Sequence, residues 1–151
     1  MMVAALLLLA GERTALGVWQ RWAALRDAAP TRCFAIAQPL RGDGTPDRRG
    51  GFASIAPREA RAVFFRLSVP RGRGAITLAV GERRFALAGE RQAARAPDAA
   101  ADRAIVGALR GGGSMSLSYL AAGGRPVAEA YALDGAATAI DAAAIGCAGR
   151  D

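Results

Sequence analysis

The stretch Ala75-Ile76-Thr77-Leu78-Ala79-Val80-Gly81-Glu82-Arg83-Arg84-Phe85-Ala86-Leu87-Ala88 decides how this chain folds. Ile76, Leu78 and Val80 alternate with Ala75, Thr77 and Ala79, so an extended segment here has one apolar face. Gly81-Glu82 makes a tight turn, and Phe85 and Leu87 carry the apolar face on beyond it. That pattern predicts an antiparallel hairpin.

Working outward, the same period recurs. Met115, Leu117 and Tyr119 alternate with Ser114, Ser116 and Ser118, and a Gly123-Gly124 turn leads into a strand over Val127 to Leu133. Upstream, Phe52 to Ala56 and Ala62 to Val69 read as strands, and so does Cys33 to Gln38. Val18 to Arg26, with Trp19 and Trp22, fits a strand or a short helix, and the turn-like Asp27 to Thr31 follows it. Arg41 to Gly51 and Pro70 to Gly74 are loops by their Gly and Pro content. Two helices complete the pattern. Asp98 caps the first, with Ala101, Ile105, Val106 and Leu109 on one stripe, and Gly111-Gly112-Gly113 ends it. The second runs from about Gly135 to Ile145. The sum is a mainly β (α+β) domain: an antiparallel β-sandwich or barrel-like sheet with two short helices, the last one C-terminal. Short turns between strands argue against parallel βαβ winding.

A chain of 151 residues with 52 % hydrophobic content makes one domain with a real core. Much of that content is alanine and only 6 % of the residues are aromatic, so the core gains little area per side chain. All 20 basic residues are arginine, and the sequence has no Lys, His or Asn. Without His there is no Ser-His-Asp triad, Cys-His pair or imidazole metal ligand. Without Lys there is no Schiff base, Ser-Lys dyad or Walker lysine. The expectation is therefore a non-enzymatic protein without cofactor or metal. A hydrolase working with carboxylates alone is the remaining catalytic alternative.

Cys33 and Cys147 are the only two cysteines. An even pair in a chain with an apolar leader predicts one disulfide formed outside the cytoplasm. Cys33 falls on an early strand and Cys147 follows the last helix, so the bond would pin that helix to the sheet. The leader is Val3 to Ala10, too short to span a bilayer but suited to the apolar core of a signal peptide. A small-x-small site at Ala15-Leu16-Gly17 gives residues 1–17 as signal peptide, without a basic n-region, and 18–151 as the mature domain. An ordinary buried N-terminal helix is the alternative.

The net charge of +7 favours anionic partners. Candidate anion-binding residues are the arginine pairs Arg48 with Arg49, Arg71 with Arg73, and Arg83 with Arg84. They form no dense basic run and are not interleaved with aromatics, which argues against nucleic acid. The stretch Arg110 to Ser114 follows a helix and precedes a strand, the reverse of a phosphate loop, and reads as a helix terminator. Asp98 and Asp102 could share a cation or act as an acid pair, but fit the helix N-terminus better, as Asp134 and Asp141 fit the second helix. If Phe85 points inward, so does Arg83, which then needs a carboxylate or a place at the open end of the sheet. Glu129, in phase with Val127 and Tyr131, is its candidate partner.

Trp22, then Arg32-Cys33-Phe34-Ala35-Ile36-Ala37-Gln38-Pro39, and later Phe85-Ala86-Leu87 form one ordered series. Asp98, Ala104 to Gly112, Tyr131 to Ala136, Ala139-Ile140 and Cys147 continue it. Over Trp22 to Cys147 the series resembles the invasion-associated locus B (IalB) family of Gram-negative bacteria. Arg95 departs from it by standing where the family places an aromatic residue. The resemblance implies an exported, β-rich cell-envelope domain, periplasmic or secreted, with paired cysteines and no established enzymatic mechanism. A link to host-cell invasion, known for some members, is not carried over. The expected partner is an anionic lipid or glycan of the envelope. The alternative is an envelope protein met through an exposed sheet edge, as an interaction or inhibitor module.

Overall fold

A computed structural model describes residues 12–148. The apolar run Val3 to Ala10 lies outside them. Ten strands and two helices follow in the order β1 (Arg13–Trp19), β2 (Trp22–Ala28), β3 (Thr31–Ala37), β4 (Phe52–Ile55), β5 (Val63–Arg66), β6 (Ile76–Val80), β7 (Arg83–Gly89), β8 (Ala93–Arg95), α1 (Ala99–Gly111), β9 (Ser114–Leu120), β10 (Pro126–Ala132) and α2 (Ala136–Gly146). The strands form one antiparallel sheet in the order β1-β2-β3-β4-β5-β8-β7-β6-β9-β10.

The period-2 alternation places the core as expected. Ile76, Leu78 and Val80 of β6 sit beside Met115, Leu117 and Tyr119 of β9 and Val127 and Tyr131 of β10, all buried on one face. The sheet coils toward closure. Leu40, just beyond β3, donates its N–H to the Ala130 carbonyl at 2.7 Å, so the chain leaving β3 meets the outer edge of β10. Trp22 is fully buried at the same seam, and its indole N–H donates to the Ala132 carbonyl at 2.8 Å.

The helices cover the apolar face. Ala136, Ala139, Ile140 and Ala143 of α2 are buried against β1, β2 and β3, where small side chains let the backbones approach closely. Gly135 precedes α2 with φ +89°, and a Cβ there would stand 2.0 Å from the Trp19 carbonyl oxygen, so both backbone conformation and space require glycine. The expected disulfide is present. Cys33 of β3 and Cys147 after α2 are bonded with Cα atoms 5.8 Å apart, fastening the terminal helix to the sheet. Asp98 caps α1 by accepting the Ala101 N–H at 2.8 Å. Asp102, one turn on, is buried and accepts the N–H groups of Ala62 and Val63, each at 3.0 Å. The two carboxylates thus have separate structural tasks. An exposed Arg110–Asp141 ion pair links the helices, where solvent and salt screen it.

Two expectations change. Val18 to Arg26 is neither one strand nor a helix but straddles the β1–β2 turn, which Gln20 makes at φ 54° without Gly or Asn. The expected 17/18 boundary falls within β1, whose residues from Arg13 onward pair with β2. Arg83 and Glu129 do not meet. Register places Arg83 across Val80, Met115 and Tyr131, two residues along β10 from Glu129. Arg83 is exposed at the turn end of the β6–β7 hairpin, with its guanidinium 4.9 Å from the Phe85 ring centre.

Candidate anion-binding surface

Glu129 is 1 % exposed and lies in a buried polar cluster. Its Oε1 accepts the Ser68 N–H at 2.9 Å. Among the described residues its Oε2, the Ser68 hydroxyl and the Tyr131 hydroxyl have no protein partner. The loop after β3 closes over the cluster at Gly51, where a Cβ would stand 2.3 Å from Ser68 Oγ and 3.0 Å from Glu129 Oε1. The same loop is braced by Asp47, whose carboxyl accepts from the Arg49 backbone and guanidinium and is held below the usual aspartate range by that arginine.

Burial, and then the charge of Glu129, push the Tyr119 hydroxyl up to about 12. Tyr131 is raised by the same two causes. A raised tyrosine pKa means that the fold favours the neutral phenol. This contribution is complete below the ordinary value near pH 10 and is lost as pH rises above it. These are the chain's two tyrosines. An ultraviolet titration should therefore show no tyrosinate near pH 10 while the circular dichroism remains native, and then both tyrosines ionising with unfolding. One tyrosine equivalent titrating at its ordinary pH in the folded protein would contradict this geometry.

The six candidate arginines fall in three places. Arg48 and Arg49 lie on the loop between β3 and β4, Arg48 exposed and Arg49 bound to Asp47. Arg71 and Arg73 precede β6, and Arg71 donates to the Gly74 carbonyl at 2.6 Å. Arg83 and Arg84 lie at the far end of the β6–β7 hairpin, about 13 Å away along the strand. The length of β6 thus separates the Arg71–Arg73 pair from the Arg83–Arg84 pair.

The fold assembles a different group on the outer face of the sheet. Register aligns Ile36, Ser54, Phe64, Arg95 and Ala88 in one row across β3, β4, β5, β8 and β7. The Arg95 guanidinium lies 4.7 Å from the Phe64 ring centre, and Phe52 packs against Phe64 at 5.8 Å. Arg66 shares the outward phase of Phe64, and Arg61, just before β5, donates to the Ala96 carbonyl at 3.4 Å. Among the described residues Arg61, Arg66 and Arg95 have no ion-pair partner.

The β1–β3 end of this face is built from the same parts to the opposite electrostatic effect. Arg13 and Arg32 lie 5.3 and 5.1 Å from the Phe34 ring centre, but Asp27 pairs with Arg13 and Glu59 with Arg32. One arginine–aromatic group is neutralised and the other is left cationic. The outward phase of Phe64 and Arg66 was readable from alternation. Arg95 was not, because β8 has three residues and only the register places it beside Phe64.

No family model matches the sequence, and no curated protein matches it. Among solved structures, the crystal structure of invasion associated protein B from Bartonella henselae is similar, with a TM-score of 0.56 at 16 % identity. The similarity covers 88 % of this chain and 98 % of that one. At this identity the likeness is one of fold, and it agrees with the ordered series of residues from Trp22 to Cys147.

Proposed function

We propose that this chain is an exported, non-enzymatic cell-envelope domain of the IalB kind, and that it binds anionic lipid or glycan phosphates through arginine. The shared fold, the Cys33–Cys147 bond and the apolar Val3 to Ala10 run support the compartment. No helix of the described residues is long and apolar enough to cross a membrane. The observation that carries the binding reading is the un-neutralised Arg61–Arg66–Arg95 group beside Phe52 and Phe64.

Sedimentation with vesicles tests it. Binding to phosphatidylglycerol-containing vesicles, absent with phosphatidylcholine alone, should fall several-fold between about 0.05 and 0.5 M salt as screening shortens the reach of surface charge. Salt-insensitive binding would overturn the reading, and no vesicle binding would remove lipid and leave only the glycan phosphate.

A second reading, association with an envelope protein through a sheet edge, is favoured by β1, which stands at one end of the strand order with Val18 70 % exposed. The register shift between Ala15 and Gly17 interrupts that edge, a device that discourages strand addition. It therefore ranks second.

A further inference from the structure

We propose that the pocket walled by Arg61 and Arg95 is a binding site for a phosphorylated sugar, recognised through its phosphomonoester. This inference rests on the anion-binding reading above and gives that surface a defined site. The pocket lies over β5, β8 and the end of β7, has a volume near 370 Å³, and is lined by Arg61, Phe64, Ala88, Gly89, Glu90, Ala93, Ala94 and Arg95. That volume is at the small end of ligand sites, enough for a monosaccharide phosphate and too little for acyl chains.

Three features select the ligand. The Arg95 guanidinium lies over the Phe64 ring, and among the described residues its N–H groups have no hydrogen-bond acceptor, which leaves them available to a tetrahedral oxyanion. Arg61 directs one N–H to the Ala96 carbonyl and retains others for the same anion. Two wall cations match a dianion better than a single carboxylate. The third feature is Glu90, a wall carboxylate with acceptor oxygens for the hydroxyls of the esterified sugar. Asp98 and Asp102 line the adjoining cavity, which shares Arg61 and Arg95, but both carboxylates are engaged by backbone N–H groups. Ala88, Ala93 and Ala94 leave the space clear.

Calorimetric titration of the full chain with glucose 6-phosphate, glucuronate and glucose tests the site, together with vesicles carrying phosphatidic acid or phosphatidylglycerol. The expected order is glucose 6-phosphate above glucuronate, with no heat from glucose. Arg61→Gln and Arg95→Gln should each weaken glucose 6-phosphate by roughly tenfold or more, as loss of charge-assisted hydrogen bonds implies. Arg95→Lys, which keeps the charge but not the stacked fork, should weaken it less. Arg125→Gln, in the β9–β10 turn, should have no effect. Absence of glucose 6-phosphate binding, or equal loss in the Arg125 variant, would overturn the site. Vesicle binding that survives both Gln variants, with no sugar-phosphate binding, would overturn the pocket and leave the cationic-surface reading. Sugar-phosphate binding without vesicle binding would uphold the pocket and remove the lipid source.

Discussion

Reducing the Cys33–Cys147 bond should lower the stability of this domain by about 3–4 kcal/mol, the largest effect expected of any single change. The bond spans 114 residues of sequence, so opening it frees the unfolded chain from one very long loop. The chain-entropy account assigns roughly 4.7 kcal/mol to a loop of about 100 residues, and measured values usually fall below that figure. Against a total of about 5–15 kcal/mol for an ordinary domain, this is a large share. The core amplifies its weight. The buried face of α2 is Ala136, Ala139, Ile140 and Ala143, so apolar area alone holds that helix weakly. Urea unfolding with and without reductant, and of the Cys33→Ser/Cys147→Ser variant, should show the midpoint fall by the same amount. A midpoint unchanged by reduction would show that α2 is held by packing alone.

Replacing Asp102 by alanine should cost about 3 kcal/mol, second only to the cystine. Its carboxylate is the acceptor for two N–H groups, those of Ala62 and Val63, both buried residues at the entry to β5. Alanine would leave both donors without a partner inside the protein, at about 1–3 kcal/mol each, partly relieved by local opening to water. Asp102→Asn should recover roughly half, because one amide oxygen still accepts while the NH₂ group faces a second donor. A loss below about 1 kcal/mol in Asp102→Ala would mean that α1 does not depend on this contact to dock on β5. The same contact gives the carboxylate at this position a structural task.

The two deep carboxylates illustrate how far sequence reasoning reached. Asp102 was readable as a helix-start residue, and Asp98 does cap α1. That Asp102 serves a strand 39 and 40 residues away depends on how α1 packs, which no local pattern encodes. Glu129 was correctly placed on the inner phase of its strand. Its partner was not Arg83 but the backbone of Ser68, because the pairing of β10 with β9, β9 with β6 and β6 with β7 sets Arg83 two residues out of step. β1 escaped notice because Gln20 makes its turn at positive φ without the usual glycine or asparagine signal. Arg95 escaped because three residues are too short for alternation to be seen.

The sequence by itself determined the local elements and the charge. Period-2 alternation selects strands, Asp98 and the glycine run bound α1, and two cysteines in one chain can close only one bond. It also determined that every cationic side chain here is an arginine. Only the tertiary structure decided which arginines lie together. Neighbours in sequence, such as Arg83 and Arg84, project to opposite faces of a strand, whereas Arg61, Phe64 and Arg95 are brought to one pocket by cross-strand register. Register is a property of the whole sheet, since every strand must bury its apolar face at once, and a slip of one residue would turn that face outward.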